Sequence, residues 1–158
     1  MCFSHFLLGG AAVIYEEIFG KKYAKRHFLN RSSWMLVFVV FSALWMISGV
    51  LILKINSIYV SSFGFLLMAL VMLILRHDLI LDALFSGLLL SLVAFIFYSV
   101  FFTLIFPGII ERWWMLSNIS GIQISHTPLE ELMWFFGWGM VAGPAYEFVR
   151  GLGLKKTA

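Results

Sequence analysis

Two adjacent acids, Glu130 and Glu131, follow Thr127-Pro128-Leu129 and open an apolar, aromatic run that continues to Arg150. Carboxyl groups in or beside an apolar span are expensive to place, which makes them candidates for function. Glu130 has a competing local role. With Thr127 as N-cap and Pro128 at N1, Glu130 falls at N3 and completes a capping box, its side chain reaching back to the cap N–H. Acids are also favoured at a helix N-terminus by the dipole, so structure and catalysis weigh equally for Glu130. Glu131 has no such task. At about 100° per residue it shares a helical stripe with Phe135, Trp138, Ala142 and Tyr146. Apolar surroundings favour the neutral carboxylic acid, the form that donates a proton. Ring faces along the stripe would stabilise a cation. Any single one of these rings is more simply explained by packing; the combination with an acid is what indicates general-acid chemistry.

A second cluster, Arg76-His77-Asp78-Leu79-Ile80-Leu81-Asp82, places two aspartates one turn apart. Oxygen ligands at that spacing suit Mg²⁺ held against a diphosphate. N-capping and first-turn acids with Arg76 as neighbour explain the same residues and are preferred. His77 has no second His or Cys nearby. No nucleophile elbow, glycine-rich phosphate loop or redox-cofactor signature occurs, so no cofactor is expected. Any enzyme reading is confined to acid–base chemistry on an apolar substrate.

The elements that must position these residues are membrane helices. Of 158 residues, 62% are hydrophobic and 12% charged, against roughly 25% charged in soluble domains, and mean hydropathy is +0.99. That excludes a soluble enzyme, a disordered chain and a nucleic-acid-binding domain. The fold class expected is all-α, a polytopic bundle of about five helices, each span needing about 20 apolar residues. The expected spans are Cys2–Phe19, Trp34–Leu53, Ile55–Leu75, Ala83–Phe106 and Leu129–Arg150. The first carries Glu16 and Glu17. It lacks the basic start of a signal peptide. Cys2 is the only cysteine, which excludes a disulfide framework.

Five spans put nine Lys and Arg on one face and two on the other. The positive-inside rule then sets a multi-pass protein in the cytoplasmic membrane, its N-terminus outside and its C-terminus in the cytoplasm. On that topology Asp78 and Asp82 lie at the opposite face from Glu130 and Glu131. The loop 111–127 reads as interfacial, with Trp113 and Trp114 at headgroup depth. Gly139 and Gly143 have the GxxxG spacing that admits a second helix, and Glu147 is expected to pair with Arg150 at i+3.

Residues 10–20 resemble 141–151: Tyr15, Glu16 and Gly20 fall on Tyr146, Glu147 and Gly151, and a lysine pair follows each set. If this is a repeat, the chain opens inside the last helix of a preceding unit. The organisation expected is therefore 1–32 as a partial helix of that repeat plus a basic cytoplasmic loop, 33–151 as the transmembrane domain, and 152–158 as a basic tail.

Pro128-Leu129-Glu130-Glu131, then Trp134-Phe135, then Gly143-Pro144-Ala145-Tyr146-Glu147 resembles the signature of the small membrane-embedded, non-flavin lycopene cyclase domains. Arg76-His77-Asp78 ahead of Ala83–Leu88, and the stretch from Glu111 to Gly121, are similar too. The resemblance covers about residues 33–151, and only its Pro-x-Glu-Glu element is moderately specific. It implies an intramolecular carotenoid cyclase in which Glu130 and Glu131 initiate ring closure of a linear polyene by protonation. Trp134, Phe135, Trp138 and Tyr146 would line the cation's path. In that family the active unit holds two such domains, so the resemblance also implies a second cyclase-domain subunit, besides membrane lipid and an apolar isoprenoid substrate. No net redox change is needed, in keeping with the missing cofactor motifs. Two rival readings stand beside it: a non-catalytic assembly subunit built on Gly139 and Gly143, and a prenyl-transfer enzyme using Asp78, Asp82 and Mg²⁺.

Overall fold

The computed structural model describes Ile18 and residues 21–24, 32–113 and 116–156. Chain order begins with β1 (Lys21–Ala24) and α1 (Ser32–Met46), which continues in wider π-type turns to Ile52. Then come α2 (Ser57–Leu75), a 3₁₀ turn (His77–Leu79), and α3 (Ile80–Val100), again extended by π turns to Ile105. The short helix α4 (Ile109–Trp113) leads to the hairpin β2 (Gln123–Ile124) and β3 (Thr127–Pro128). The fold closes with α5 (Leu129–Ala142), α6 (Ala145–Arg150) and β4 (Gly153–Lys156). The all-α bundle expected from composition is what forms.

Among the described residues three segments, rather than the five spans expected for the chain, are long and apolar enough to cross a membrane: Trp34–Ile52, Ser57–Leu75 and His77–Ile105. Their outer faces carry large exposed apolar side chains such as Leu36, Leu51, Leu88 and Leu104, a surface solvated by acyl chains rather than water. The α2 start is set locally by Asn56, whose side-chain oxygen accepts from the Ile58 N–H at 3.1 Å. Expected span Cys2–Phe19 lies outside the described residues apart from Ile18, as do the residues of the 10–20 echo, Arg26 and Arg31. The same holds for Trp114 and the side chain of Trp113.

The span expected over Leu129–Arg150 is not one rod. It breaks at Gly143-Pro144 into fourteen- and six-residue helices, because Pro144 has no N–H to donate and its ring clashes with the preceding turn. Gly143 ends α5, donating its N–H to the Gly139 carbonyl at 2.9 Å. The expected capping box is also absent. Thr127 and Pro128 belong to β3, Pro128 occupies the N-cap without a side-chain cap bond, and the Thr127 hydroxyl is buried with no hydrogen-bond partner. The loop ahead of α5 holds a two-residue hairpin whose central residues, Ser125 and His126, both have positive φ. That is the twist a tight hairpin demands.

Helix α5 is the centre of the bundle, packing most extensively on α3 and then on α2. Its glycine stripe explains the close approach to α3. A Cβ on Gly139 would lie 2.7 Å from the Ser86 carbonyl oxygen and 2.8 Å from the Gly87 Cα. The GxxxG surface expected to receive a partner is therefore filled by α3 of the same chain, which removes the basis of the assembly reading.

At the far end Arg76, 3% exposed, ties the segments together. Its guanidinium forks onto Asp78 at 2.7 and 2.6 Å and donates to the carbonyls of Leu152 at 2.6 Å and Glu147 at 3.3 Å. Glu147 is 2% exposed and faces Arg76, not Arg150 as expected. The short α6, restarted by Pro144, turns Glu147 inward and leaves Arg150 outside, over the Tyr146 ring at 6.0 Å. Gly151, at φ 66°, closes α6 in the left-handed conformation, and β4 then pairs antiparallel with β1, Lys21 facing Lys156.

Candidate active site

A cavity of about 750 Å³ opens between all the principal helices. Its walls are Ser42, Trp45 and Met46 from α1, Ser57, Ile58, Ser61, Gly64, Phe65 and Met68 from α2, Tyr98 from α3, and Glu131, Trp134 and Phe135 from α5. Among the described residues Glu131 is the one carboxyl in this lining. The rings around it are packed edge to face: Phe65 on Trp134 at 5.5 Å, Trp134 on Phe135 at 5.1 Å and Phe135 on Tyr98 at 5.8 Å. The electron-rich faces and the apolar wall are suited to a cation formed next to the acid. Trp45 is fixed by its indole N–H, which donates to the Val60 carbonyl at 2.7 Å. Gly64 makes room for it, since a Cβ there would lie 2.9 Å from the indole.

Glu130, one residue earlier, points elsewhere. It is 3% exposed, lines neither this cavity nor its neighbour, and uses one oxygen to accept from the Tyr59 hydroxyl at 2.9 Å and the Ser120 N–H at 2.8 Å. Its second oxygen is buried with no hydrogen-bond partner. The bonds it makes join α5 to α2 and to the loop before β2. The two glutamates, about 100° apart on one helix, serve different surroundings.

Trp138 and Tyr146 do not share the Glu131 cavity. They line a second cavity of about 540 Å³ with Met35, Phe38, Val39, Met72, Val141, Ala145, Phe148 and Val149. Ser42, Phe65 and Met68 wall both spaces, and the Ser42 hydroxyl donates to the Met68 sulfur at 3.2 Å at this junction. Trp134 and Trp138 stack across it at 6.3 Å. The stripe read from helical periodicity is thus split: Glu131 and Phe135 in the first cavity, Trp138 in the second. Tyr146, 57% exposed, is displaced from the stripe by the break at Gly143-Pro144.

Sequence reasoning missed Tyr98, Trp45 and Phe65. Ser57, Ser61, Phe65 and Met68 recur at helical spacing along α2, a signal present in the sequence but lost in a helix apolar on every side. Asp78 and Asp82 do not converge on a cation. Both Asp78 oxygens are held by Arg76, while Asp82 is 2% exposed and accepts from the Ser86 hydroxyl at 3.2 Å. Among the described residues no group of three or more His, Cys, Asp or Glu is arranged to hold a metal ion.

The family model for lycopene cyclase matches residues 56–149, more than half of the chain, and the chain belongs to that family. The match runs from the start of α2 through the acid pair to α6. Membership together with the apolar helices identifies a membrane protein of carotenoid biosynthesis. No curated protein and no solved structure matches the chain.

Proposed function

We propose that the chain is a domain of a membrane-embedded carotenoid cyclase that closes a ring at the end of a linear polyene such as lycopene, with Glu131 as the proton donor. The observation that carries this reading is a carboxyl on the wall of a large ring-walled cavity, in a chain of the lycopene cyclase family. The Glu131 carboxyl delivers its proton to the terminal double bond. The neighbouring alkene attacks the resulting tertiary cation, closing a six-membered ring. A proton lost from the carbon beside the new cation leaves the ring alkene. Substrate and product are isomers, so the reaction is an isomerisation with no redox cofactor.

Trp134 and Phe135 flank the cation. Trp138 and Tyr146 receive the unreacted length of the polyene, which passes the junction of Ser42, Phe65 and Met68 into the second cavity. Glu130 is assigned the task of holding the first turn of α5 so that Glu131 faces inward. The chain works as a multi-pass protein of the cell membrane together with a second cyclase-domain subunit.

Expression in a lycopene-accumulating host, with and without a partner domain, tests the reading. Cyclic carotenoid that disappears in Glu131→Gln supports it. Cyclic product that survives that substitution overturns it.

A further inference from the structure

We propose that Tyr98 is the positioning residue for the Glu131 proton, an inference that rests on the acid-catalysed reading above. Of the described side chains lining the first cavity, only Glu131 and Tyr98 carry an acidic O–H; the others are apolar, indole or alcohol groups. The two come from different helices, and their approach is fixed. The Ser91 hydroxyl of α3 donates to the Leu132 carbonyl of α5 at 3.2 Å, and the Gly87–Gly139 approach locks the same pair of helices lower down. The Tyr98 ring is held against Phe102 at 4.9 Å and against Phe135, one helical turn from Glu131, at 5.8 Å, on the wall of the same cavity.

A phenol at that place matters most after proton transfer. Once the proton has gone to the alkene carbon, a carboxylate is left in a mostly apolar, ring-walled space. A hydrogen bond from the Tyr98 O–H to that carboxylate is charge-assisted and stronger than the bond to the neutral acid. It therefore strengthens as the reaction proceeds, which is the condition for lowering the barrier. When the ring cation loses its proton to the carboxylate, Glu131 is restored and Tyr98 has kept its own proton throughout.

Tyr98→Phe preserves the ring and its packing. We expect it to lower kcat by on the order of ten- to hundredfold, the value of a hydrogen bond to a charged group, with KM for the polyene unchanged. Incorporation of 3-fluorotyrosine and then 3,5-difluorotyrosine at position 98 should change turnover in the order of phenol acidity. Unchanged turnover in Tyr98→Phe overturns the proposal, as does a loss in Tyr98→Phe accompanied by a flat fluorotyrosine series, which marks a packing role. Glu131→Gln, run in parallel, separates the two ideas. If it retains activity, the acid assignment itself has failed; if it is inactive while Tyr98→Phe is normal, only the role given to Tyr98 has failed.

Discussion

Glu130 and Glu131 are adjacent and chemically identical, yet one is bonded to a tyrosine and a backbone amide outside the cavity and the other lines the cavity wall. Substitution should therefore affect them differently. Glu130→Ala strands the Tyr59 hydroxyl and the Ser120 N–H, and we expect it to cost about 1–3 kcal/mol of stability, read as a lower thermal midpoint in detergent. Glu131→Gln, nearly isosteric, should lower that midpoint less than Glu130→Ala does and abolish ring formation, measured as the cyclic fraction of extracted carotenoid. The sequence marked both acids as catalytic candidates and leaned toward Glu131 for a local reason, since only Glu130 had a capping task; the proposed function keeps the proton donor at Glu131. Sequence reasoning misjudged the task of Glu130. A capping box depends only on neighbours in the chain, whereas the actual partners, Tyr59 and Ser120, are brought in by the fold. Tyr98 escaped notice for the same reason: its place beside the α5 acid comes from the packing of α3 on α5, not from its neighbours in the chain.

At the scale of elements, the long helices were legible because charge-free runs of the required length fold in few other ways in lipid. Their ends and breaks were less so. Pro144 was visible, but the hydropathy of the surrounding run masked its effect, and the hairpin at Ser125-His126 lacks the glycine or asparagine that usually announces such a turn. Gly139 and Gly143 were recognised as a close-contact surface without any indication of which helix would use it. The packing now makes that surface a stability element. Gly139→Val places carbon within the van der Waals radius of the Ser86 and Gly87 backbone, where no flexible side chain can yield. It should destabilise by at least the roughly 1–3 kcal/mol typical of overpacking. Thermal unfolding of the purified variant measures this, and Gly139→Ala should fall between it and the parent.

Across the whole molecule two cavities that share Ser42, Phe65 and Met68 as walls follow one another along α5 and α6 from Glu131 toward Tyr146, and the proposed function uses them as one path. Hydropathy cannot reveal such a path, because the walls of a cavity and the faces turned to lipid are made of the same residues. Substrate length is the variable that probes it. Narrowing the second cavity with Ala145→Phe should reduce cyclisation of a full-length forty-carbon polyene several-fold while sparing a shorter polyene with the same end group. Product yields from the two substrates in parallel give the ratio. Equal losses on both would mean that the distal space is not occupied during turnover.

The antiparallel ladder that sets Lys21 against Lys156 has a practical corollary. Segments from opposite regions of the sequence meet there, so a purification handle appended beyond the last strand sits next to the stretch that precedes the first long helix. Trimming the tail back to Gly151 strips that stretch of its backbone partner, and what looks like a harmless shortening becomes a change at both extremities at once.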